Sequence, residues 1–160
     1  MGKGGAISLS SGVILNCTFA GNYIEKIGGG YGSSSFDGTR IASGGAVDSS
    51  GDLLLEHSVF INNYAYVSGF DSSGAAEGGA ITAYKSVEMD SCVLVNNSAI
   101  VFSPSGNGYT KSQGGAISCT DEITITSSQF SSNFAIANAT EAQGTARSYG
   151  GAIYSIKSAI

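Results

Sequence analysis

Two carboxylates, Glu56 and Asp90, occupy equivalent positions in a recurring pattern. In adjacent coils of a stacked β structure they would stand about 5 Å apart. That separation suits the nucleophile and acid of a retaining glycosidase. It also suits the first two ligands of a hard cation such as Ca²⁺. The simpler reading is a solvated acidic face, extended by Asp52, Glu88 and Glu122. Such a face discourages lateral pairing of sheets. The other groups an enzyme would need are sparse. The one histidine, His57, stands at a turn position, and the two arginines, Arg40 and Arg147, fall outside the acidic strand. No acid–base pair shares a column with a positioned cation, so the pattern argues against an enzyme and names no catalytic residue.

The three cysteines and three glycosylation sequons are the remaining reactive positions. Cys17 and Cys92 share a column two coils apart, about 10 Å, too far for a disulfide. Cys119 belongs to another column. All three are expected as unpaired, buried thiols filling small spaces. Sequons stand at Asn16, Asn96 and Asn138. Asn138 lies in a loop-like segment and is the best glycan acceptor, whereas Asn16 and Asn96 border strands.

These columns exist because the chain repeats. Gly-Gly-Ala followed by Ile or Val begins at Gly4, Gly44, Gly78, Gly114 and Gly150, at spacings of 40, 34, 36 and 36. A second signature follows in phase, an aromatic or Leu three residues before Asn. It reads Phe19 to Asn22, Phe60 to Asn63, Leu94 to Asn97 and Phe130 to Asn133. Two motifs recurring together define repeats 4–43, 44–77, 78–113 and 114–149 with a partial fifth, 150–160, in one domain. Ile160 falls in the column of Ile14.

Aligned on the aromatic, Ile14, Leu55, Met89 and Ile125 form one apolar column, and Gly12, Leu53, Val87 and Ile123 another. Asn16, His57, Ser91 and Ser127 stand between strands at a bend. With the Gly-Gly-Ala-Ile segment this gives three short strands per repeat. Stacked repeats of that kind make an all-β parallel solenoid of about four and a half coils. The residues Ile7, Val47, Ile81, Ile117 and Ile153 should face its core. Asn22, Asn63, Asn97 and Asn133 should form a ladder of buried amides. The intervening segments 23–43, 64–77, 98–113 and 134–149 read as Gly- and Ser-rich loops inserted at one corner. They carry Tyr31, Phe36, Tyr66, Phe70, Phe102, Tyr109 and Tyr149, residues suited to contact with a partner.

Composition agrees. Of 160 residues, 24 are Gly and one is Pro, and 12% are charged, which excludes a coiled coil and disfavours a helical bundle. A net charge of −5 with scattered Lys and Arg disfavours nucleic-acid binding. No run approaches the length of a membrane helix.

The paired Gly-Gly-Ala-Ile and Phe-x-x-Asn motifs resemble the repeat of the polymorphic outer membrane proteins of chlamydiae. The resemblance implies a right-handed parallel β-helix of the pectin-lyase-like type. It further implies a segment of an extracellular or cell-surface protein: a rigid stalk, an adhesin passenger or a filament unit. Expected partners are further copies stacked head-to-tail or a continuation of a longer chain, with glycans or host and cell-surface proteins as contacts. No cofactor is implied. The alternative function is a carbohydrate-binding or carbohydrate-processing β-helix using the acidic strip or the loop edge.

Overall fold

The computed structural model describes residues 2–28, 40–69, 74–103, 109–139 and 145–157. The expected Ile160, Tyr31, Phe36 and Phe70 positions lie outside these. The chain is an all-β parallel solenoid of about four turns, consistent with a right-handed parallel β-helix. Each complete coil carries five strands where the sequence predicted three.

Five sheets run along the axis, each pairing a strand with its equivalent in the next coil. Sheet A holds Gly2–Lys3, Arg40–Ser43, Gly74–Glu77, Tyr109–Gln113 and Thr145–Tyr149. Sheet B holds the Gly-Gly-Ala-Ile strands Ile7–Leu9, Val47–Ser49, Ile81–Ala83, Ile117–Cys119 and Ile153–Ser155. Sheet C holds Gly12–Leu15, Leu53–Glu56, Val87–Asp90 and Ile123–Thr126, and sheet D holds Thr18–Ala20, Val59–Ile61, Val93–Val95 and Gln129–Ser131. Sheet E holds Tyr23–Gly28, Tyr64–Gly69, Ser98–Ser103 and Phe134–Ala139. The register places Ile14, Leu55, Met89 and Ile125 opposite one another, and likewise Phe19, Phe60, Leu94 and Phe130.

The segments expected as loops are the main difference. Most of their described residues belong to sheets E and A, which pack against each other as a second lobe. Its thin core is Ala42, Ala65, Val67, Ala76, Ala99 and Val101. Alternation of small inward and larger outward residues builds those strands. The Ala and Gly content that reads as loop-like is what lets the two sheets approach.

The larger core lies between sheets B, C and D. Val47, Ile81 and Ile117 are fully buried there, with Leu55, Phe60, Met89 and Leu94. In the first and fifth coils, Ile7 is exposed and Ile153 half-buried. Phe19 and Phe60 stack with centroids 4.9 Å apart. Burial of this kind contributes about 25 cal/mol per Å² of apolar surface, but only when coils are stacked.

The corners are left-handed. Asn16, His57, Ser91 and Ser127 have φ between 47° and 52°. Gly21, Asn62, Asn96 and Ser132, one residue before the ladder asparagines, form a second such corner. The first Gly of each Gly-Gly forms the third, at φ 57° to 63°. The second Gly has a different reason. A Cβ on Gly45 would overlap the Gly79 carbonyl and lie 2.6 Å from the Tyr64 backbone.

Gly45→Ala is therefore expected to cost about 3 kcal/mol or more, because two backbones must separate. Gly21→Asn should cost less than about 1 kcal/mol, since nothing lies within 4 Å of its missing Cβ and Asn tolerates this φ. Urea unfolding of the two variants checks the contrast.

Candidate functional site

The asparagine column forms a hydrogen-bonded ladder. Asn22 Nδ2 donates to Asn63 Oδ1 at 3.0 Å, Asn63 Nδ2 to Asn97 Oδ1 at 2.9 Å, and Asn97 Nδ2 to Asn133 Oδ1 at 3.0 Å. The same Oδ1 atoms accept from the backbone N–H of Asn22, Asn63 and Asn97. Each Nδ2 from the second coil onward also donates back to the preceding coil, to the carbonyls of Phe19, Phe60 and Leu94. The left-handed residue before each Asn turns its amide under the aromatic column, which accounts for the three-residue spacing. Asn63 and Asn97 are fully buried and satisfied on both amide atoms.

A second polar column crosses the first corner. Ser58 Oγ donates to the Glu56 carbonyl at 2.8 Å and accepts from Cys17 N–H at 3.1 Å. Ser128 repeats this with Thr126 and Cys92. The thiols of Cys17 and Cys92 take the donor role toward Leu15 and Asp90 carbonyls. All three cysteines are free, and Cys92 and Cys119 are buried. Cys17 is exposed, contrary to expectation, because the first described coil is covered on one side, whereas Cys92 in the same column has a coil on either side. Burial pushes the Cys92 and Cys119 thiols up, away from reactivity.

The acidic strip lies on the outer face of sheet C. Glu56 and Asp90 are paired in register, flanked in the column by Leu15 and Thr126. Ser91 Oγ donates to Asp90 at 3.2 Å. Asp52 accepts from Ser86 N–H at 3.2 Å, and Asp52, Glu88 and Leu54 border a shallow depression. Among the described residues no three His, Cys, Asp or Glu side chains are grouped to hold a metal ion. Arg40 and Arg147 stand in sheet A, and exposed His57 occupies the corner after Glu56. The strip thus brings two carboxylates together without adding a cationic group from sheet A.

Of the sequon residues, Asn138 lies in a strand of sheet E rather than in a loop, with its side exposed. Thr140 of that sequon lies outside the described residues. Asn16 and Asn96 are also exposed, at left-handed corners, and Asn96 Nδ2 donates to Asn62 Oδ1 at 2.7 Å.

Sequence reasoning missed the junction of sheets A and B. The Gly-Gly turn folds these sheets into an inside angle, so outward residues of both are enclosed. Ser43, Asp48, Thr82, Gln113 and Ser118 are at most 5% exposed there. Lys3 Nζ stands 3.9 Å from Asp48 Oδ2 and 5.1 Å from the Tyr84 ring centroid. Tyr84 Oη and Ser43 Oγ are 3.4 Å apart. Thr82 Oγ1 donates to the Glu77 carbonyl at 2.6 Å. Burial pushes the carboxyl of Asp48 up, against the pull of Lys3. It pushes that of Glu77 up as well, aided by Asp48 and opposed by Lys111 and Lys3. The only sequence signal for this cluster is a set of polar residues, Asp48, Thr82 and Ser118, one position after the core residue of a short strand.

Sheet E presents an apolar outer face. Tyr23 and Tyr64 stack at 5.0 Å, and Tyr66, Ile100, Phe134 and Ile136 share that side. Of the aromatics expected on loops, Tyr66 and Phe102 lie in this sheet and Tyr109 and Tyr149 in sheet A.

Comparison with protein-family models, curated proteins and solved structures finds no significant match to this chain. The class defined by the geometry is a parallel β-solenoid repeat. Among the described residues no helix is long and apolar enough to cross a membrane, which says nothing of a β-barrel.

Asn63→Ala strands three polar groups, Asn22 N–H and Nδ2 and the Phe19 carbonyl, while Asn97 Oδ1 keeps the backbone N–H of residue 63. At about 1 kcal/mol each the loss is about 3 kcal/mol. Asn22→Ala, at a half-buried position, should cost clearly less. Paired denaturation curves check the order.

Glu77 gives a pH dependence. Its folded pKa lies above its unfolded value, so the folded state holds the proton more tightly. Stability from this group is full below the unfolded value of 4.5 and is lost as pH rises through the folded pKa. Glu77→Gln should flatten that part of the stability–pH curve, measured by urea midpoints between acid and neutral pH.

Proposed function

We propose that this chain is a structural segment of an extracellular or cell-surface protein, serving as a rigid stalk, adhesin passenger or filament unit. The observation that carries this reading is the unbroken asparagine ladder from Asn22 to Asn133. It runs beside five continuous parallel sheets. Coils that repeat the same side-chain bonds supply stiffness along an axis, and the described coils are near-equivalent. The ladder is polar, because each Nδ2 points to the next coil's Oδ1. Coils added to it must therefore arrive head-to-tail, and heterologous stacking of that kind extends rather than closes. The outer face of sheet E is the apolar surface on which contacts with host or cell-surface proteins would form.

The pectin-lyase-like relationship and the kinship with chlamydial surface repeats belong to the same proposal. The carbohydrate alternative draws less support, since the Glu56 and Asp90 carboxylates are flanked in their column by Leu15 and Thr126. Calcium at that pair belongs to the alternative.

An antibody to the chain should label intact source cells as strongly as permeabilised ones. Electron microscopy of the material as isolated should show rods or unbranched fibres. Labelling only after permeabilisation, or compact particles alone, would sink the proposal.

A further inference from the structure

We propose that Lys3 and Asp48 form an intramolecular isopeptide cross-link between the first and second coils. This goes beyond the structural role above and does not depend on it. Lys3 ends the first strand of sheet A, and Asp48 is the middle residue of the second strand of sheet B. The inside angle brings Nζ to 3.9 Å from Oδ2. Asp48 is 1% exposed, and its Oδ1 has no hydrogen-bond partner. The Tyr84 ring centroid lies 5.1 Å from Lys3 Nζ, and the lysine side chain stays 41% exposed.

The chemistry follows from this arrangement. A carboxylate in water resists attack by an amine because it is charged and solvated. Burial moves the Asp48 carboxyl toward its neutral, electrophilic form. The half-exposed ammonium of Lys3 releases one proton to solvent, and its lone pair attacks Asp48 Cγ. A second proton from that nitrogen passes to the departing hydroxyl. One C–N bond forms, one C–O bond breaks and one water leaves. The Asp48 carbonyl keeps the second oxygen, and nothing is oxidised or reduced. Fixing both partners in a folded corner replaces a bimolecular encounter with a unimolecular step. Burial of the Asp48 carboxyl disfavours the reverse hydrolysis. The product would stop the first coil from peeling off the second.

Intact-mass spectrometry of the full chain, folded as expressed, tests this. The expected mass is one water below that of the sequence, and digestion should yield a branched peptide joining Lys3 to Asp48. Lys3→Arg retains the charge and cannot form the amide, so it should recover the full sequence mass. A wild-type chain of full sequence mass, with a β-rich circular dichroism spectrum, would overturn the proposal. Water loss that persists in Lys3→Arg would overturn it too, assigning the change to succinimide formation at Asp48-Ser49.

Discussion

A buried amide has to find all of its partners, and here only another coil at the right height supplies them. Asn63 and Asn97 each bond to the coil on either side through both amide atoms. Slipping one coil by a single residue would break these bonds and turn the apolar columns outward. The ladder therefore fixes the register from which the stacked phenylalanines, the Ile14 and Leu55 column and the Gly-Gly contacts all follow. The left-handed corners serve the same end. They recur at equal heights because Asn, Ser, His or Gly recurs there, residues that tolerate positive φ or, as at Ser91 and Ser127, adopt it at a cost.

The second lobe shows how small residues build structure. Sheets E and A are held by an Ala and Val interior too thin for larger side chains. Folding the chain back through sheet A then creates the inside angle with sheet B. Polar residues on outward positions become buried as a consequence, not because they avoid water. Asp48, Thr82 and Gln113 sit in that angle, and the raised carboxyl of Asp48 is the electrostatic cost of closing it. The outer side of sheet E faces no such wall and leaves Tyr23, Phe134 and Ile136 in solvent.

Much of this was legible from the residues. The Phe-x-x-Asn and Gly-Gly-Ala-Ile motifs fixed the columns, and register pairing at Leu53, Val87 and Ile123 follows them. The segments 64–77 and 98–113 were misread as loops because alanine, glycine and serine signal turns and thin interfaces alike. Their alternation spans only a few residues, and the partner sheet that gives it meaning lies in the same segment after a turn. The burial of Cys119 and the exposure of Cys17 differ for another reason. Column membership says which way a side chain points, but not whether a coil covers it.

Repetition is local information multiplied, so the sequence by itself determined the parallel solenoid, the core columns, the amide ladder and the corners. Each needs only that one coil resemble the next. The inside angle between sheets A and B, the packing of sheets E and A and the meeting of Lys3, Asp48, Glu77 and Tyr84 were decided by the tertiary structure alone. Those contacts join residues of different columns and different coils, and no period in the sequence relates them.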